Sequence, residues 1–166
     1  VASYIPELTK ADPAWFGIAL VTVDGHVYQA GDSRQPFTIQ SISKAITYGL
    51  ALEDSGIEAV LRKVDVEPSG EAFNSISLEP GTGRPRNPMI NAGAIATVAL
   101  VEGDTPEARF AHMLDCYNRY LGRRPELDLA VYQSEKATGH RNRAIAWLLH
   151  NHEILERAPD DVLDVY

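Results

Sequence analysis

Cysteine is almost absent from this sequence, which has a single one, Cys116, among its 166 residues. One cysteine excludes a disulfide within the chain, and a chain without disulfides fits a reducing compartment, so we expect a cytoplasmic protein. Cys116 lies beside the apolar stripe of a predicted helix. A buried structural thiol is therefore the expected role, and a catalytic nucleophile at this position is disfavoured.

Long apolar runs and blocks of positive charge are also missing. No stretch approaches the roughly 18 consecutive apolar residues of a membrane span, and there is no signal-peptide pattern. The formal net charge is −8, with 15 basic against 23 acidic residues, which argues against nucleic acid or an anionic membrane as a partner. Because the sequence begins with Val1 and not with Met, we expect it to be a portion of a longer chain.

Strand signals are scarce, and helical patterns fill most of the chain. Trp15–Val23 and His26–Ala30 flank the turn dipeptide Asp24-Gly25, which predicts one β-hairpin. A hairpin this apolar is marginal alone, so we expect it to belong to a larger antiparallel sheet. We predict an α+β fold in one unit over residues 1–166, with the hairpin and a first long helix in 1–56 and a mainly helical region in 57–166.

The stretch Phe37–Leu52 passes from a short β-like run, Phe37–Ile39, into the first long helical pattern, and it contains a pair of residues with a possible chemical use. Ser41 and Lys44 stand three positions apart, and residues at this spacing on a helix are neighbours, with Cβ atoms roughly 5–6 Å apart. A desolvated lysine can take the proton of a serine and make it a nucleophile. Ser-x-x-Lys is the nucleophile signature of serine β-lactamases and penicillin-binding proteins. The alternative is a helix-capping serine followed by a solvated lysine.

Three further segments place polar residues in apolar surroundings. Asn87, between Arg86 and a proline, has a restricted backbone and an amide that both donates and accepts, although a turn or capping role explains it equally well. Glu135 and Asn142 flank a glycine break, so that both side chains point into one cleft or merely form a helix corner. The third segment is Leu163–Tyr166. His150 and His152 fall on different helix faces, so a solvated helix end is favoured over a metal site.

Taken together, these segments resemble the bacterial, serine-dependent glutaminase family, which shares the β-lactamase and penicillin-binding-protein fold. The resemblance follows the family order along the chain from Tyr4 to Tyr166. The matching segments are Tyr4–Pro6, Gln40–Lys44, Pro68–Gly70, Phe73–Ser75, Arg86–Ile95, Glu135, Arg141–Ala144 and Leu163–Tyr166.

The resemblance implies hydrolysis of L-glutamine to L-glutamate and ammonia through an acyl-enzyme. Ser41 would be the nucleophile, Lys44 its base, and Tyr166 the residue that passes the proton to ammonia and then activates water. It also implies a cytoplasmic homodimer or homotetramer that needs neither a metal nor an organic cofactor. The implied substrate-binding residues are Tyr4, Gln40, Ser41, Asn87, Glu135, Asn142 and Tyr166.

Family chains continue beyond the position of Tyr166, with further strands of the sheet and further site residues. The resemblance therefore implies that the 166 residues alone are inactive or poorly stable unless another segment or chain completes them. Two other functions stay open. One is a β-lactam-processing serine enzyme of the same fold, which the acid at Glu135 and the Asn87 segment disfavour. The other is a non-catalytic interaction module, which the presence of Ser41, Lys44 and Tyr166 disfavours.

Overall fold

The computed structural model describes residues 3–68, 70, 72 and 74–166. Two residues of the matching segments, Ser69 and Phe73, lie outside the described residues. The chain divides into two compact units, Val1–Ile39 with Asp128–Thr138 and Gln40–Leu127 with Gly139–Tyr166. These boundaries differ from the predicted division after residue 56, and folding of all 166 residues as one unit stays a prediction.

The secondary structure consists of two strands, seven α-helices and two short 3₁₀ helices within the described ranges. The 3₁₀ helices are Pro6–Lys10 and Gln40–Ile42. The strands are β1 (Gly17–Val21) and β2 (Val27–Gly31). The helices are α1 (Ser43–Ser55), α2 (Ile57–Lys63), α3 (Asn91–Ala99), α4 (Pro106–Leu121), α5 (Leu129–Thr138), α6 (His140–Asn151) and α7 (Pro159–Leu163).

The first unit contains the predicted hairpin, in which β1 and β2 pair antiparallel from Gly17↔Gly31 to Val21↔Val27. Their connection is longer than the expected two-residue turn, because the strands end at Val21 and resume at Val27. Gly25 adopts φ 87° there, which favours glycine. Every residue of both strands is exposed, including apolar residues on each face of the ribbon. Strands with apolar residues on both faces are typical of a sheet that other structural elements cover on both faces.

The second unit holds the hydrophobic core, and its helices begin and end at local signals. The Thr105 hydroxyl caps α4 by accepting from the Ala108 N–H at 3.2 Å, with Pro106 in the first turn. Gly122 ends α4 with φ 65°, and Gly56 ends α1, as the sequence predicts. The centre of the unit is α3, whose residues Ala92–Val98 are buried and which contacts α1, α2, α6 and α7.

The buried face of α4 differs in part from its predicted stripe. Met113, Tyr117 and Cys116 are buried, so the expected structural role of the thiol is confirmed. The apolar stripe in the sequence of this helix includes Leu121 and predicts its burial, but Leu121 is exposed, whereas Arg109 is only 1% exposed. The Arg109 guanidinium donates to the Gly103 carbonyl at 3.2 Å, and burial lowers its pKa. The guanidinium is buried together with its alkyl stem, and its Nε and Nη1 atoms have no hydrogen-bond partner among the described residues.

Among the residues that the structure describes, no helix combines the length and apolar character that crossing a membrane requires.

Candidate active site

The predicted nucleophile lies in a tight turn directly before α1. Ser41 is the middle residue of the 3₁₀ helix Gln40–Ile42, and not part of the first α-helical turn as predicted. Gln40 has φ 46°, a left-handed conformation that is uncommon outside glycine and that concentrates at functional sites. The Ser43 hydroxyl donates to the Gln40 carbonyl at 2.7 Å. This bond ties the turn that carries Ser41 to the first residue of the helix.

Lys44, the predicted base, is buried in the first turn of α1 with 5% of its surface exposed. Its Nζ donates to the Asn91 Oδ1 at 2.7 Å and to the Met89 carbonyl at 3.2 Å. Burial lowers the pKa of the Lys44 amine below that of an ordinary lysine, because the charged form loses hydration. The alternative of a capping serine and a solvated lysine is therefore wrong, since the N-cap residue is Ile42 and it makes no side-chain cap.

Asn91, the first residue of α3, is a member of the site that the sequence did not single out. Its Oδ1 accepts from Lys44, and its Nδ2 donates to the Asn142 Oδ1 at 3.1 Å. We call Lys44, Asn91 and Asn142 the lysine–amide network. It joins α1, α3 and α6, and it brings the predicted base within two hydrogen bonds of a predicted substrate residue. A buried lysine needs acceptors, but the sequence does not indicate which residues supply them.

Asn87 takes part in a local turn, as one interpretation of the sequence expected. Its Oδ1 accepts from the Met89 N–H at 2.7 Å and its Nδ2 donates to the Glu67 carbonyl at 2.7 Å. The same Met89 supplies the second acceptor for Lys44, so the Asn87 turn helps to hold the base. The amide keeps one N–H and one lone pair beyond these two bonds. Contact of Asn87 with a substrate stays a prediction.

Tyr166 follows α7 and is partly buried against the hydrophobic core of the second unit. Its backbone N–H donates to the Val162 carbonyl at 3.0 Å, which continues the α7 turn and fixes the backbone of the last residue. Its predicted role in proton transfer remains a prediction.

Tyr4 and Glu135 belong to the first unit, so their placement relative to Ser41 stays a prediction. Tyr4 is 60% exposed. Glu135 lies on α5 and is partly buried, and burial raises the pKa of its carboxyl. A carboxylate that has lost hydration is stabilised by a cation, which suits the predicted contact with an α-ammonium group. The α5 helix is fixed within its unit by the Glu7 N–H, which donates to the Ser134 hydroxyl at 3.2 Å.

One group of metal-ligand side chains occurs in the described part of the chain, formed by Asp54, Glu102 and His112. The His112 Nε2 lies 3.1 Å from both Asp54 carboxylate oxygens, and the Glu102 backbone N–H donates to the same carboxylate at 2.9 Å. These contacts already satisfy Asp54, so we describe the group as a hydrogen-bonded contact between α1 and α4. His150 and His152 are exposed, as the prediction of a solvated helix end requires.

Comparisons with known proteins agree on one family. The family model described as Glutaminase matches residues 1–166. A glutaminase of Trichormus variabilis is 54% identical over 166 residues, which are all of this chain and 50% of the relative. This chain therefore spans about half the length of that curated relative.

Solved structures give the same result for the fold. A probable glutaminase from Bacillus subtilis, complexed with 6-diazo-5-oxo-L-norleucine, superposes with a TM-score of 0.88 at 37% identity, over 99% of this chain and 49% of the other. The glutamate form of Mglu superposes with a TM-score of 0.92 at 43% identity, over 99% of this chain and 38% of the other. The predicted α+β, β-lactamase-like fold class is confirmed by these matches.

Proposed function

The chain belongs to the glutaminase family, and on this premise we propose that the protein hydrolyses L-glutamine to L-glutamate and ammonia through an acyl-enzyme on Ser41. The observation that carries the proposal is the burial of Lys44 three residues after Ser41, with its amine held by Asn91 and Met89. A lowered pKa increases the fraction of the amine that is neutral, and a neutral amine can take the proton of a serine hydroxyl and so make it a nucleophile.

The proposed first step joins the Ser41 Oγ to the side-chain amide carbon of glutamine. Lys44 accepts the hydroxyl proton, and the backbone N–H of Ser41 stabilises the oxyanion of the tetrahedral intermediate. Tyr166 passes a proton to the amide nitrogen, the carbon–nitrogen bond breaks, and ammonia leaves. In the second step, water gives a proton to Tyr166 and attacks the acyl carbon. The bond between this carbon and the Ser41 Oγ then breaks, glutamate leaves, and Lys44 returns its proton to the Ser41 oxygen.

Recognition of a free amino acid is assigned to the remaining predicted residues. Glu135 would pair with the α-ammonium of the substrate, and its raised pKa supports a site in which the carboxylate lacks a cation until substrate binds. Asn87 and Asn142 would hold the polar ends of the substrate, with Tyr4 and Gln40 completing the contacts. The glutamate form of Mglu and the 6-diazo-5-oxo-L-norleucine complex of the Bacillus subtilis protein support a ligand of this class.

Membership of the family also leads to proposals for the oligomeric state, the location and the partners of the protein. We propose a homodimer or homotetramer in the cytoplasm, which acts on L-glutamine and does not bind nucleic acid or membranes. The net charge of −8 and the single cysteine support this assignment. The proposed reaction is carried by side chains alone and requires no cofactor.

Ammonia release from glutamine by the complete protein tests the proposal. We expect Ser41→Ala to lower kcat by about 10³-fold or more, because removal of a nucleophile stops the covalent route. Ser55→Ala at the other end of α1 is the matched control and should keep the wild-type rate. Turnover that survives Ser41→Ala contradicts the assignment. Folded wild type without turnover would favour the interaction module, and cleavage of a β-lactam instead of glutamine would favour the other alternative.

A further inference from the structure

Three hydroxyl side chains meet close to the turn that carries Ser41. Thr47 of α1 and Tyr117 of α4 are both buried, and their hydroxyl oxygens lie 2.6 Å apart. The Tyr117 hydroxyl also forms a hydrogen bond with the side chain of Ser43, the first residue of α1. We call Tyr117, Thr47 and Ser43 the hydroxyl chain. It connects α4 with the beginning of α1, two residues after Ser41.

The chemistry of a hydroxyl group determines the direction of each bond in the hydroxyl chain. Thr47 donates to the Ser43 backbone carbonyl at 2.9 Å, and the Ser43 hydroxyl donates to the Gln40 carbonyl at 2.7 Å. Because a hydroxyl has only one proton, Tyr117 must be the donor in its bond with Thr47. Burial raises the pKa of the Tyr117 hydroxyl, which keeps it protonated as a donor. The chain therefore begins at Tyr117 and ends at the Gln40 carbonyl.

We propose that Ser43 is a positioning residue for the glutaminase reaction, which orients the peptide between Gln40 and Ser41 so that the Ser41 N–H stays directed at the oxyanion. Tyr117 and Thr47 hold Ser43 in the conformation that this bond requires. The inference rests on the proposed function, in which the Ser41 N–H stabilises the oxyanion, and it adds residues to that function. In this assignment, none of the three hydroxyls touches the substrate or the reacting atoms.

The bond from Ser43 controls the Ser41 N–H because both groups belong to one peptide unit. A peptide unit is planar and trans, so its C=O and N–H point in opposite directions. With the Gln40 carbonyl held toward Ser43, the Ser41 N–H points away from the first residue of α1. A carbonyl that accepts a hydrogen bond also polarises its peptide, which makes the N–H of the same unit a stronger donor.

The conformation of Gln40 explains why this peptide needs a constraint. Its φ of 46° is costly for a residue with a Cβ, and such a conformation persists only where the surrounding structure enforces it. A serine that donates to a carbonyl three or four residues earlier is common in helices. Here the same serine also contacts a buried tyrosine of a second helix, so the turn is tied to α4 as well as to α1.

Kinetics of variants in the complete protein test the inference. Ser43→Ala removes the bond to the Gln40 carbonyl, and we expect kcat and kcat/KM for glutamine to fall together by about tenfold, because the oxyanion exists only in the transition state. Ser43→Thr keeps the hydroxyl and should restore most of this loss. Tyr117→Phe should lower kcat by about threefold, because it acts on the peptide only through the other two hydroxyls.

Two matched controls remove similar groups elsewhere on the same helices. Ser55→Ala removes a serine hydroxyl that donates to the Leu100 carbonyl at 2.8 Å, at the other end of α1. Tyr120→Phe removes an exposed hydroxyl from α4. Both variants should keep the wild-type kcat and KM. If Ser43→Ala lowers Tm but leaves kcat of the folded enzyme unchanged, Ser43 acts in folding alone and the inference is wrong.

The amide ¹⁵N chemical shift of Ser41, assigned with Ser41→Ala, reports the hydrogen bond at the preceding carbonyl without any turnover. We expect this shift to move in Ser43→Ala, to return toward the wild-type value in Ser43→Thr and to stay constant in Ser55→Ala. An unmoved shift in folded Ser43→Ala, or an unchanged kcat in an active enzyme, overturns the inference and leaves the proposed function intact. Folded wild type that releases no ammonia contradicts the proposed function, and the inference with it.

Discussion

Two ionisable side chains that we propose for the reaction are buried or partly buried, and their charges have opposite signs. Lys44 in the second unit has its pKa lowered by burial, and Glu135 in the first unit has its pKa raised by burial. Burial favours the neutral amine of Lys44, which can accept the proton of the proposed reaction, and the carboxylate of Glu135 would be stabilised by the ammonium group of the substrate. Groups with such displaced pKa values concentrate at functional sites.

The variant Glu135→Gln should stabilise the unliganded protein at neutral pH. The folded protein holds the carboxyl at a raised pKa, so stability falls as pH rises from the unfolded pKa, about 4.3, through the folded pKa. An amide in place of the carboxylate removes this penalty, which raises Tm at pH 7, and the difference from wild type should vanish below about pH 4. Glu126→Gln, an exposed position, is the control and should leave Tm unchanged.

The same variant should lose affinity for glutamate because the partner of the α-ammonium is gone. We expect Kd to rise about tenfold or more, the loss typical of a charge-assisted hydrogen bond. Calorimetric titration and thermal melts of the same samples measure both effects. A variant that melts lower than wild type at pH 7, or that binds glutamate equally well, would contradict the assigned role of Glu135.

At the scale of elements, two glycines inside helices have opposite surroundings. A Cβ on Gly93 of α3 would collide with the backbone of Asn87 and Pro88, the turn that presents Met89 to Lys44. A Cβ on Gly49 of α1 would find its nearest neighbour, the Tyr120 hydroxyl, at 3.9 Å. Only glycine allows α3 to approach the Asn87 turn this closely, whereas any small residue fits at position 49.

Alanine at these two positions should therefore change stability in opposite directions. Gly49→Ala should stabilise the protein by about 0.5–1 kcal/mol, because alanine has the better helix propensity. Gly93→Ala should destabilise it by about 1–3 kcal/mol, because the added carbon displaces the Asn87 turn. Denaturant unfolding of both variants measures the two free energies of unfolding. Equal effects of both substitutions would contradict the close approach of α3 to the turn.

The sequence predicts those features that local chemistry determines. Thr105, Pro106 and Gly122 mark both ends of α4, and each acts within a few residues of itself. The beginning of α1 is different, because the helical pattern that follows Ile39 includes Gln40. The positive φ of Gln40 excludes it from the α-helix and places it in the short 3₁₀ helix before α1. Glutamine does not signal such a conformation. The contact of Lys44 with Asn91 joins residues 47 positions apart, so only the folded chain reveals it.

At the scale of the whole molecule, the hairpin exposes a large amount of apolar surface. On one face of the β1–β2 ribbon, the register places Ile18 and Leu20 opposite Ala30 and Tyr28. On the other face, Val21 lies opposite Val27, and these large apolar side chains are exposed on both faces. Continuous exposed apolar surface of this kind marks a contact surface and promotes association through unpaired strand edges.

The 166 residues expressed alone should therefore associate and bind a hydrophobic dye. We expect the double variant Ile18→Thr with Leu20→Thr to reduce dye binding and the apparent size in gel filtration, since threonine keeps strand propensity while removing apolar surface. Ile57→Thr changes an exposed isoleucine on α2 and should have little effect. A monomeric wild-type chain that binds no dye would contradict this expectation.

The position of Asn91 makes the arrangement of the residues around it depend on the stability of the hydrophobic core. It is the first residue of α3, the helix whose next seven residues are buried among four others. Active-site residues on mobile loops lose their arrangement at a lower temperature than the rest of the molecule unfolds, because such loops open first. Here the arrangement of Lys44 and Asn142 persists as long as the interior of the second unit does. Loss of the lysine–amide network and cooperative loss of helicity on heating should accordingly share one transition.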